Sequence, residues 1–62
     1  MTRKQARTIL IKLRFASESK QPMTKISEIL GMDPEWYDTA QDWEDALMVR
    51  ISDISRIAYN ND

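Results

Sequence analysis

Carboxylates are the only plentiful acid–base groups in this chain of 62 residues, which has ten Asp and Glu, no histidine and no cysteine. Glu35 and Asp38, and again Asp42 and Asp45, stand three apart. That spacing puts each pair on one side of a helix, as the two carboxylates of a glycosidase-type site would be. Such a pair works only in a walled cleft that drives its two pKa values apart, and a chain this short has little material for one. The missing imidazole removes the commonest general base and metal ligand. The missing thiol removes disulfides and thiolate metal sites. Gly31 is the single glycine, so there is no phosphate-cradling loop. Nor does a straight helix carrying Asp38, Asp42, Asp45 and Asp53 offer calcium an oxygen-rich loop. These residues point to a protein that is not an enzyme, with no cofactor, no metal and no small-molecule substrate.

Charge is the stronger signal. Residues 1–25 hold Arg3, Lys4, Arg7, Lys12, Arg14, Lys20 and Lys25 against Glu18 alone, a balance of +6, whereas residues 26–62 sum to −7. The overall charge is only −1. A basic front and an acidic back suit charged partners, and equally suit a domain that neutralises itself on folding. Asp38, Asp42 and Asp45 are either a solvated face or a row presented to a basic partner.

These side chains must be held by helices, because apolar residues recur at three and four and seldom at two. The spacing predicts a small all-α domain of three helices, long, short and long, over about residues 2–17, 24–30 and 34–59. Thr2 and Gln5 have the spacing of a capping box. The polar stretch from Ser17 to Pro22 ends the first helix. Gly31 suits the left-handed residue that closes the second. Asp33, Pro34 and Glu35 read as the N-cap and first turn of the third, with Met32 and Tyr37 at the spacing of a hydrophobic staple. Thr39 and Asp42 form a second possible cap, so a bend near residues 38–40 is open. At about 100° per residue, Trp36, Ala40, Trp43, Leu47, Ile51, Ile54 and Ala58 fall in an arc of roughly 80° and should form the core stripe. Both tryptophans are expected there as anchors.

The first helix is apolar on two sides. Ala6, Ile9, Leu10, Leu13 and Ala16 can cover the last helix, while Ile11 and Phe15 project from nearly the opposite side. Either the short helix covers that pair through Ile26, Ile29 and Leu30, or the pair is exposed and marks a partner or dimer surface. Arg3, Arg7 and Arg14 run between the two arcs as a basic ridge, of the kind that binds nucleic acid, an anionic membrane or an acidic protein.

The segment Met23-Thr24-Lys25-Ile26-Ser27-Glu28-Ile29-Leu30-Gly31-Met32-Asp33 resembles the first helix and turn of helix-turn-helix regulators. Ser27 stands as the small residue four before the turn glycine, Met32 as the apolar residue after it, and Trp36 or Tyr37 as the packing residue of the next helix. The likeness covers residues 23–37. It implies a second helix that enters the major groove, with Glu35, Asp38, Thr39, Gln41 and Asp42 facing the bases. Phosphate contacts normally come from Arg and Lys, so DNA contact here would draw on Arg3, Lys4, Arg7 and Lys25 together with Thr39 and Gln41.

The reading with the best support is a small regulatory binding protein acting through protein–protein contacts, using Arg3, Arg7, Ile11, Arg14 and Phe15, or Asp38, Asp42 and Asp45. In size and charge asymmetry it resembles the small accessory proteins of bacteria, phages and plasmids. A DNA-binding transcriptional regulator is the alternative, and a structural homodimer the third reading. With no apolar run long enough to span a membrane and no secretory leader, a cytoplasmic location is expected.

Overall fold

The computed structural model describes residues 1–60. Among them are three helices and no strand: α1 (Arg3–Ser17), α2 (Pro22–Leu30) and α3 (Ala40–Ala58), with one 3-10 turn (Pro34–Trp36) between the last two. The order is long, short, long, as the periodicity predicts. Among the described residues no helix is long and apolar enough to cross a membrane.

Each boundary has a local cause. The Thr2–Gln5 capping box forms, with the Gln5 N–H donating to Thr2 Oγ1 at 3.1 Å and the Thr2 N–H donating to Gln5 Oε1 at 2.9 Å. Ser17 and Ser19 close α1, their hydroxyls donating to the Arg14 and Ala16 carbonyls. α2 begins at Pro22, two residues before the expected start. Proline fits a first helical position because its missing N–H has no partner there in any case. Gly31 closes α2 at φ +66°, and the Met32 N–H returns to the Ser27 carbonyl at 3.1 Å. That pairing satisfies an orphan carbonyl, which requires the left-handed residue.

The third helix departs from expectation. It starts at Ala40 and not at residue 34. Asp33 does cap, its Oδ1 accepting from the Glu35 N–H at 2.9 Å, but the helix it opens is a single 3-10 turn. Tyr37 is extended at φ −115°, ψ 146°, and Thr39 then caps α3 by accepting from the Asp42 N–H at 3.1 Å. On a continuous helix Tyr37 would lie outside the core stripe. Breaking the chain at 37–39 turns Tyr37 into the core, where it packs half-buried, and turns Trp36 out. The expectation that Trp36 anchors the core is therefore corrected: it is 73% exposed.

α1 lies antiparallel to α3 and also carries α2. At one end Ala6 meets Ile54 and Ala58, and both alanines are fully buried. Side chains this small let the two helix backbones approach closely. At the other end Leu13 and Ala16 pack with Ile26 and Trp43, surrounded by half-buried Ile9, Leu10, Leu47 and Ile51. Trp43 is the joint of this core. Its indole N–H donates to the Met32 carbonyl at 2.9 Å, tying α3 to the turn that follows α2.

Candidate functional site

α1 has its buried arc on one side and a basic face on the other. The helix contains Arg3, Lys4, Arg7, Lys12 and Arg14 and no acidic residue. α2 packs beside Leu13 and Ala16 and does not cover Ile11 or Phe15, which remain 57% and 69% exposed. Of the two arrangements open for that pair, the exposed one is realised. Ile11 and Phe15 stand one turn apart, so their side chains form one patch.

The arginines around the patch differ in their freedom. Arg7 is committed inward, its Nε donating to the Ala58 carbonyl at 3.1 Å and its guanidinium lying 6.0 Å from the centre of the Tyr59 ring. A cation at the carbonyl end of α3 is favoured by the helix dipole. Arg7 therefore works first as a clamp between α1 and α3, a role its place on the basic ridge does not announce. Arg14 meets Glu18 only at 4.0 Å, with both side chains largely in solvent. A pair so open holds little energy and releases Arg14 readily. Arg3 and Lys4 stand in solvent at the first turn.

The acidic row is only partly assembled. Asp38 precedes the Thr39 cap and so is not on α3; the expected alignment of Asp38 with Asp42 and Asp45 on one helix is lost with the chain break at 37–39. Asp42 and Asp45 do share a side of α3 and are exposed. Asp45 accepts from Gln41 Nε2 at 2.9 Å, and Thr39 spends its hydroxyl on the cap. Both residues expected to read bases are thus engaged locally. Glu35 and Asp38 lie on or just after the 3-10 turn, so no regular second helix follows Gly31 at the helix-turn-helix position. Lys25 is exposed on α2. The carboxylates considered for acid–base work, Glu35, Asp38, Asp42 and Asp45, are all open to solvent. Among the described residues no group of three or more acidic side chains is placed to hold a metal ion.

A concave feature lies within the segment that resembles a helix-turn-helix. Trp36, Pro34 and Met23 line a shallow groove of about 420 Å³ between α2 and the 3-10 turn, with Glu28 and Asp33 beside them. The spacing of the tryptophans suggests two core residues, and only the extended Tyr37 reveals that one of them faces outward. Met48 and Val49 on α3 are also exposed, at the side where the helix carries Asp45. No protein-family model matches this chain, and neither a curated protein nor a solved structure matches it.

Proposed function

We propose that this chain is a non-enzymatic binding protein that modulates a protein partner by docking through the outer face of α1. One observation carries the reading: Ile11 and Phe15 form an uncovered apolar pair on a helix with five basic residues and no acidic one. Single exposed apolar side chains are ordinary on any surface. A large aromatic beside an aliphatic neighbour, on a helix with Arg14 and Lys12 next to it in sequence, has the composition of an interface centre, where aromatic residues and Arg are enriched. The chemistry that fits it is an acidic surface with an apolar centre. Electrostatic attraction would steer the encounter, and burial of Ile11 and Phe15 would hold it.

The alternative is DNA contact through Arg3, Lys4 and Lys25, which have no ion pair among the described residues. Titration of the labelled protein, followed by NMR, separates the two readings. One probe is a synthetic amphipathic helix of Leu and Glu, and the other is a DNA duplex. For protein docking, the acidic peptide shifts α1 signals around Ile11 and Phe15, and Phe15→Ala weakens it by roughly tenfold or more. Sequence-dependent binding of the duplex that requires Thr39 and Gln41 would overturn this in favour of the DNA-binding regulator.

A further inference from the structure

We propose that the partner of the α1 face is a second copy of this chain, received in the acidic groove beside Trp36. The inference rests on the docking reading of α1 and supplies its occupant. Its basis is a segregation of charge that folding leaves in place. From residue 26 to residue 49 there is no Lys or Arg, and the same stretch holds Glu28, Asp33, Glu35, Asp38, Asp42, Glu44 and Asp45. α1 is the reverse, basic throughout. Glu28 of α2 lies beside Lys12 and Phe15 of α1, lining one hollow with them, but no ion pair among the described residues joins the two. The ion pairs among the described residues are Arg14–Glu18 and Arg56–Asp53, each within a turn of helix and neither linking α1 to the acidic stretch. The self-neutralisation that the sequence allows is therefore not made by contacts within one chain. It remains available between chains.

The shapes agree with the charges. Phe15 stands out from α1 at 69% exposure, and the Trp36 groove has room for an aromatic side chain in its roughly 420 Å³. Trp36 is held outward by the Asp33 cap and the extended Tyr37, so the groove is a product of the backbone. An arginine beside Phe15 would find the Trp36 face and the Glu28 and Asp33 carboxylates together, a favourable setting for a guanidinium. Symmetric alternatives are opposed by charge. Pairing α1 with α1 sets Lys12 and Arg14 against their own copies, and pairing groove with groove does the same with carboxylates. Only the contact of unlike faces places opposite charges together. Such a contact either closes reciprocally as a two-fold dimer or, where only one pair of faces meets, lets copies grow head to tail or close into a ring. A net charge of −1 leaves little overall repulsion to oppose it.

Sedimentation of the purified chain up to about 1 mM, in about 0.05 M and about 0.5 M salt, is the test. The expected result is a mass that rises with concentration at low salt and falls back toward the monomer at high salt. Phe15→Ala and Trp36→Ala, each confirmed helical by circular dichroism, should both weaken association by at least about tenfold. Thr24→Lys serves as a second groove variant, on an exposed helical position that lines the groove and not the hollow beside Phe15. The deciding step is to mix the two weakened proteins. The Trp36→Ala chain keeps its α1 face and the Phe15→Ala chain keeps its groove, so together they should form a one-to-one complex that neither forms alone. A wild type that stays monomeric throughout overturns the proposal, as does a mixture that stays monomeric. Association that survives Trp36→Ala and Thr24→Lys but fails with Phe15→Ala overturns it in favour of an α1–α1 dimer. A monomeric wild type that still binds the Leu/Glu peptide through Phe15 refutes the second copy and leaves the docking reading standing. Loss of both refutes both.

Discussion

Replacing Trp43 by Phe removes one hydrogen-bond donor while retaining an aromatic ring, and it tests whether the Met32 anchor holds the fold's two ends of the connection together. Trp43 is 3% exposed and packs with Leu13, Ala16 and Ile26. Its N–H is the partner of the Met32 carbonyl, on a residue only 8% exposed. Leaving a buried acceptor without its donor costs about 1–3 kcal/mol. A domain of this size has about 3–9 kcal/mol in total at the usual stability per residue. Trp43→Phe should therefore remain folded but lose about 5–20 °C in melting temperature, at about 4–8 °C per kcal/mol. Trp43→Ala adds a cavity and costs about 3–5 kcal/mol, enough to leave much of the population unfolded. Thermal circular dichroism of the three proteins measures both effects. Fluorescence provides a check, since Trp43→Phe retains only the solvent-facing Trp36 and should emit at long wavelength even when folded. A Trp43→Phe protein melting within about 2 °C of wild type would refute the reasoning, because the cost assigned to the orphaned carbonyl exceeds that margin.

Other positions make smaller tests. Thr39→Ala should cost about 1 kcal/mol in urea unfolding, because the Asp42 N–H loses its cap. Gly31→Ala should cost about 1–2 kcal/mol from backbone strain alone, since an added Cβ meets nothing within 4 Å; Gly31→Asn should cost less. Leu47 is only half-buried, so Leu47→Ala should lose about 2 kcal/mol or less, below the loss at Trp43 by the same thermal melt. Changing Asp42 and Asp45 together to Asn should move stability by no more than about 1 kcal/mol, as both are exposed, and should leave peptide binding at α1 unaltered in the same NMR titration.

The parts of the fold written in local sequence were legible: the Thr2–Gln5 box, the Gly31 closure and the apolar arc from Ala6 to Ala16 are each set by neighbours within a turn or two. The start of α3 was not legible, because two valid caps compete there. Asp33 with Pro34 and Thr39 with Asp42 each satisfy the local rules, and each does form its hydrogen bond. What decides between them is tertiary. Tyr37 reaches the core only if the chain is extended at that point, and helical periodicity assumes the opposite. Trp36 then moves from core residue to exposed surface. The same event breaks the expected row of Asp38, Asp42 and Asp45. Of the candidate site, Ile11 and Phe15 could be named from periodicity. Their exposure depended on where α2 packs, and the binding of Arg7 to the Ala58 carbonyl depended on the antiparallel approach of α3.

That approach also explains why stability and docking reside on different sides of the same helix. Ala6 and Ala58 are buried at the α1–α3 crossing, and Leu13 and Ala16 serve both α2 and α3. Every buried residue of α1 lies on its inner arc. Ile11 and Phe15 add nothing to that arc, and an apolar pair in solvent brings no stability in return for its exposure. Substitution there should thus separate the two properties: Ile11→Gln with Phe15→Gln should hold the melting temperature within a few degrees, about 1 kcal/mol by the usual conversion, while abolishing the peptide-induced shifts on α1. A double mutant that unfolds would show that the pair supports the fold after all, and one that stays folded and still binds would remove the α1 face from the docking surface.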